Sequence, residues 1–181
     1  MFVIEEWGGD GAGIDMLAEV LRATVHGGGS VSFVLPFEIE DARRFFVEQV
    51  AAGVRAGTRR VLVARIDGRI VGTVQLDIAT PPNQPHRADV MKLLVHPDAR
   101  RHGIARALMV AVEDVARECG RSLLTLDTVT GGAAEKLYAS LGYVTSGVIP
   151  GYALNSRGTA VESTTIMYKA LSPNRDAAGR D

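Results

Sequence analysis

Cysteine is almost missing from this chain. Cys119 is the only one among 181 residues. An internal disulfide is therefore excluded, and a cysteine-based metal site is not expected. The histidines do not supply one either: His86 and His96 stand alone, without ligand spacing. Charge of one sign is also lacking. Lys and Arg number 20 and Asp and Glu 21, a formal net charge of −1. Nucleic-acid binding usually shows as a basic domain, so no nucleic-acid partner is expected. No apolar run reaches the ~18 residues that a membrane span needs. The start, Met1-Phe2-Val3-Ile4-Glu5-Glu6, lacks the basic segment and apolar centre of a secretory signal. Three successive glycines, Gly27, Gly28 and Gly29, are not followed by Lys-Ser or Lys-Thr, so they are not a P-loop. These absences leave a soluble, cytoplasmic protein with no metal and no membrane partner as the expectation.

What is present is enough for a core. Hydrophobic residues make up 46% of the chain, and its length fits one domain of roughly 100–200 residues. A single domain is expected over residues 1–171, with a polar, disordered tail over 172–181. A first strand is read at 1–5. Ile14, Leu17, Ala18, Leu21 and Val25 recur at helical spacing, and the three glycines stop that helix. A second helical pattern runs over 40–53. Strands are read at 60–66 and 69–78, joined by the Asp67-Gly68 hairpin signal. The loop 80–86 carries three prolines, which a central strand does not hold. A strand follows at 88–95, then a helix from Gly103 to Cys119 with Leu108, Met109, Val112 and Ala116 on one face. A strand at 123–126, a helix at 133–141 and two closing strands at 143–149 and 164–171 complete the order. The class is α/β (α+β): a mixed sheet with helices on both faces.

One stretch organises the rest: Val95-His96-Pro97-Asp98-Ala99-Arg100-Arg101-His102-Gly103-Ile104-Ala105. A strand feeds a helix there through a basic turn. The first N–H groups of a helix have no intrahelical partner, and the helix dipole favours an anion beside them. Arg100, Arg101 and His102 add donors, and Gly103 lets the backbone approach a phosphate closely. The N–H groups from Arg101 through His102, Gly103 and Ile104 to Ala105 are read as a diphosphate cradle. The competing reading is an ordinary strand-to-helix turn with solvated arginines.

The order "LLVHPDARRHGIARALM" resembles the acetyl-CoA site of the GNAT superfamily of N-acetyltransferases, with Arg100, Gly103 and Ala105 at its signature positions. The resemblance runs from about residue 60 to 171 and is sharpest over 90–143. It implies the GNAT fold, a mostly antiparallel sheet whose central strand pair is splayed. It implies acetyl-CoA as cosubstrate, held by backbone groups of Leu93, Leu94 and Val95, with the N–H near Leu94 polarising the thioester carbonyl. "AAEKLYASLGY" resembles the family's closing helix, which puts Tyr138 in the place of its general acid. On spacing alone Tyr138 reads as a core aromatic, because Ala134, Leu137, Tyr138 and Leu141 share a face. Thr128 and Thr130 replace an asparagine common after this strand, and Thr128 is a candidate cofactor contact.

The proton acceptor is less defined. Asp89 lies on the strand before the cradle, and Asp127 ends the next one. Strand ends are where open α/β sheets place ligands, but Asp127 also suits a helix cap and Asp89 a solvated strand position. Lys92 stands where many relatives carry an acidic residue. The C-terminal half looks most like the tabtoxin resistance branch, whose members acetylate a small β-lactam amino acid. That branch has acidic residues at the places of Asp89 and Asp127 and a Tyr at that of Tyr138. The resemblance implies an acetyl-CoA-dependent N-acetyltransferase acting on a small polar amine, an amino-acid-like antibiotic or toxin, as monomer or homodimer. Loops 27–36 and 81–86 are expected to set specificity. The alternatives are a protein N-terminal acetyltransferase and a non-catalytic acyl-CoA sensor.

Overall fold

The computed structural model describes residues 1–172; the tail expected at 172–181 lies outside the described residues from 173 onward. The chain runs β1 (Val3–Glu6), α1 (Gly11–His26), α2 (Ile39–Phe45), a π-helical turn (Phe46–Val50), α3 (Ala51–Arg55), β2 (Arg59–Ile66), β3 (Arg69–Asp77), β4 (Arg87–Val95), α4 (Ile104–Glu118), β5 (Leu123–Val129), α5 (Ala133–Ser140), β6 (Val144–Leu154) and β7 (Val161–Ala170). The seven strands form one sheet in the order β1-β2-β3-β4-β5-β7-β6. Every neighbouring pair is antiparallel except β4 and β5, which are parallel. This is the mixed, mostly antiparallel sheet that the sequence led us to expect.

Local chemistry explains the ends. The Asp10 carboxylate caps α1 by accepting from Gly13 N at 2.8 Å. Asp67 and Gly68 both take positive φ, +48° and +78°, the geometry of the tight hairpin turn that joins β2 to β3. Each face of the sheet buries its own cluster. Leu62 and Ala64 of β2 meet Leu108, Met109 and Val112 of α4 on one face. Val61 and Val63, which alternate with them, meet Leu17, Leu21 and Phe46 of the α1–α2 layer on the other.

Strand β4 breaks this alternation. Ala88 and Val90 lie in the α4 cluster, whereas Leu94 lies in the α1 cluster. The register explains it: Gln75 pairs with Met91 but Thr73 with Leu94, so one residue of β3 faces two of β4. Lys92 sits at this bulge with φ +52°. An extra residue shifts the side chains beyond it to the opposite face and bends the strand.

Several boundaries differ from expectation. The strand read at 123–126 continues to Val129, and the one read at 143–149 continues to Leu154. The helix read at 40–53 is interrupted by the π-helical turn. Ile104, 1% exposed, leads the buried stripe of α4.

Helix α4 is fixed by that stripe, and the turn before it carries Arg100, which lines the cleft described below. Leu108→Ala, at a fully buried position, should lower the unfolding free energy by about 3 kcal/mol. Val110→Ala on the exposed face should change it by less than about 0.5 kcal/mol. Urea denaturation of the two variants checks this.

Candidate active site

The two parallel strands part company. Strands β4 and β5 pair only at Arg87 with Leu123, Ala88 with Leu124 and Asp89 with Thr125. Beyond that point β4 continues to Val95 and β5 to Val129, and their facing edges hold no partner. The last rung is clipped by side chains: Asp89 Oδ1 accepts from Thr125 Oγ1 and from Arg87, and Arg87 also donates to Thr125 Oγ1 at 2.9 Å. The bulge at Lys92 then bends β4 away.

A cleft of about 550 Å³ fills this fork. Met91, Lys92 and Leu93 of β4, Asp127 and Thr128 of β5 and Tyr138 of α5 line it. So do Gly27, Gly28 and Gly29 and the segment after them, with Arg100 and Tyr152. Of the two loops expected to set specificity, 27–36 contributes to this wall, whereas none of 81–86 does.

At one end of the cleft Arg100 leads into the turn before α4. After a single 3-10 turn (Pro97–Ala99), Arg101 and Gly103 take φ +65° and +79°, and Gly103 precedes α4 in the left-handed conformation. No side chain caps α4. In this first turn Ala107 N donates to Gly103 O at 3.0 Å; the N–H groups before it have no carbonyl within the helix to reach. A Cβ added at Gly103 would meet no protein atom within 4 Å, so the space before the helix is open. Free N–H groups, the helix dipole and the Arg100 guanidinium together fit a phosphate.

The structure sorts the residues read from the sequence. Leu93, Arg100, Asp127, Thr128 and Tyr138 line the cleft. Leu94 and Ile104, each 1% exposed, are not among the residues that line the cleft, and neither are Val95, Arg101, Gly103 and Ala105. His102 turns away: its ring, with Nδ1 3.3 Å from Ala99 O, lines a separate cavity beside His96 and takes no part in the cleft wall. Asp89 is not in the cleft either, because Arg87 and Thr125 occupy its carboxylate at the apex of the fork.

The other end is electrostatically mixed. Tyr138 is 7% exposed. Burial, and secondly the charge of Asp127, push its phenol up to about 12. Asp127 Oδ2 accepts from Thr164 Oγ1 at 3.1 Å. Sequence reasoning did not find the roles of Lys92, Tyr152 and Thr164. The only hint was that a lysine stood where an acid was expected. Among the described residues no group of three or more His, Cys, Asp or Glu is placed to hold a metal, and no helix is long and apolar enough to cross a membrane.

The family model described as "Acetyltransferase (GNAT) family" matches residues 30–143, a segment that holds the fork, the cradle and Tyr138. The chain belongs to the GNAT acetyltransferase family. An uncharacterized N-acetyltransferase of the hisH-hisA intergenic region of Azospirillum brasilense is 38% identical over 114 residues, 61% of this chain and 65% of that protein. The chain thus matches a little under two thirds of that relative's length. The GNAT fold is shared across nearly the whole chain with solved structures. The putative acetyltransferase yncA of Salmonella typhimurium, solved with its cofactor acetyl-CoA, has TM-score 0.76 at 19% identity, covering 96% of each chain. An N-acetyltransferase of Staphylococcus aureus has TM-score 0.80 at 14% identity, covering 95% of this chain and 99% of that one.

Because the neutral phenol of Tyr138 is favoured by both burial and Asp127, it stays protonated through the neutral and mildly alkaline range. The absorbance difference between wild type and Tyr138→Phe should titrate near pH 12, above the ordinary phenol value of about 10. A midpoint near the ordinary phenol value would place the ring in water.

Proposed function

We propose that the protein transfers the acetyl group of acetyl-CoA to the amino group of a small polar molecule. The single observation that carries this is the fork, with a free backbone edge leading from an uncapped helix N-terminus to Tyr138.

The groups of the chain divide the work. The N–H groups from Arg101 to Ala105 and the Arg100 guanidinium hold the diphosphate. The free edge of β4 at Leu93, Leu94 and Val95 takes the amides of the pantetheine arm, and Thr128 faces it from β5. An N–H near Leu94 polarises the thioester carbonyl in the manner of an oxyanion hole. Asp127 attracts the amine and takes up the proton it loses. As the new C–N bond forms and the C–S bond breaks, Tyr138 donates its phenolic proton to the departing thiolate. Its raised pKa keeps that proton in place at neutral pH. Asp89 is assigned the apex clip rather than a proton transfer.

The acceptor follows from the resemblance to the tabtoxin resistance branch, and points to an amino-acid-like antibiotic or toxin. The mixed charge of the cleft supports a small polar acceptor.

Thiol release from acetyl-CoA, measured against a panel of amines and amino acids, tests the reading. Turnover is expected with a small amine and not with peptide N-termini alone; acetyl-CoA binding without thiol release from any acceptor would contradict it. Tyr138→Phe should lower kcat by about 100-fold and leave the Kd for acetyl-CoA unchanged. Gly103→Asp should raise that Kd at least about tenfold, the effect of ~1.4 kcal/mol. Gly103→Asn, which tolerates the left-handed backbone without adding charge, should raise it less. Equal effects of Asp and Asn would remove the phosphate from the cradle.

A further inference from the structure

The mechanism above leaves two charged groups of the cleft wall without a task, Glu162 and Lys92. Lys92 sits at the bulge of β4 with φ +52°, a conformation that side-chain-bearing residues seldom adopt. Its ammonium donates to Val31 O at 2.9 Å and to Ser32 Oγ at 2.8 Å. It also lies 5.6 Å from the Phe33 ring centroid and 5.9 Å from that of Phe45. Both hydrogen-bond acceptors are neutral.

Other cations on this sheet are served differently. Arg59 holds Asp77, Arg87 holds Asp89 and Lys169 holds Glu113. Lys92 is in none of the ion pairs among the described residues. An ammonium has three donors, and two are taken. A sequestered cation gains from an anionic partner. The same imbalance appears in its acidity: burial holds the Lys92 ammonium below the ordinary lysine range, against the pull of Asp127, with Arg59 nearby adding to the depression.

We infer that Lys92 binds a carboxylate on the acceptor, so that the substrate is a zwitterionic amino acid rather than a plain amine. This rests on the acetyltransferase reading and narrows it. The cofactor's phosphates are already served at the start of α4, beyond Val95. Lys92 and Asp127 stand on the two diverging strands, both in the wall of one cleft. An amino acid whose amine lies at Asp127 and Tyr138 turns its carboxylate toward β4. Lys92 and Asp127 then meet the carboxylate and the amine of the ligand. Ser32 and Val31 hold the ammonium in position without neutralising it.

The test uses the CoA-loaded protein and isothermal titration calorimetry. The probes are the proteinogenic L-amino acids and their carboxamides, which keep the amine and lose the carboxylate charge. At least one free amino acid should bind tenfold or more tightly than its amide. Lys92→Met should erase that preference, Lys92→Arg should retain most of it, and neither should change the melting temperature or the affinity for acetyl-CoA. Equal binding of acid and amide by the wild type overturns the inference. So does a Lys92→Met variant that weakens both alike, which would make Lys92 a prop for the loop at Val31. Thiol release on the same probes separates the two readings. A Lys92-dependent carboxylate preference without thiol release upholds Lys92 and defeats the acetyltransferase. Thiol release confined to amines that lack a carboxylate does the reverse.

Discussion

Two neighbouring parallel strands that stop hydrogen-bonding to each other after three residue pairs govern this structure. Backbone N–H and C=O groups withdrawn from a ladder must find other partners. Here they face each other across a cleft instead of a neighbouring strand. A ligand with alternating amide donors and acceptors fits that gap as a third strand would, by main-chain hydrogen bonds. The rest of the fold keeps the fork open and sets a different chemical group at each end of it.

The bulge at Lys92 and the clip at Asp89 are the local causes. The bulge bends β4 after the last rung, and Arg87, Asp89 and Thr125 hold that rung together. Helix α4, anchored by Leu108, Met109 and Val112, starts uncapped just after Arg100, a residue of the cleft wall. Helix α5 brings Tyr138 to its interior, where the ring packs 5.9 Å from Tyr143. Burial keeps the Tyr138 phenol protonated, while the N–H groups before α4, next to Arg100, have no partner within the helix. The two ends are thus matched to a long ligand that is charged at one extremity and reactive at the other.

Locally encoded features could be read from the chain. The turn at Gly103, the stripe of α4 and the Asp67-Gly68 hairpin depend on residues close in sequence, and each stands within a residue or two of its expected place. The order of strands and helices followed from periodicity. What was not legible depends on distant partners. Asp89 looks like any strand carboxylate until Thr125, 36 residues away, closes on it. His102 looks like a phosphate donor until Ala99 O turns its ring. The bulge at Lys92 arises from the register against β3, which no window of ten residues contains. The full length of β6 depends on β7 beside it. The loop 81–86 carried the prolines of a specificity loop, yet the cleft forms on the opposite side of β4's pairing with β5.

The most direct measurement of the account is a crystal structure of the protein with coenzyme A. The diphosphate should lie on the N–H groups between Arg101 and Ala105, the pantetheine arm between β4 and β5, and the thiol within hydrogen-bond reach of the Tyr138 phenol. Coenzyme A bound elsewhere, or a fork left closed to it with the phenol turned from the sulfur, would contradict the account.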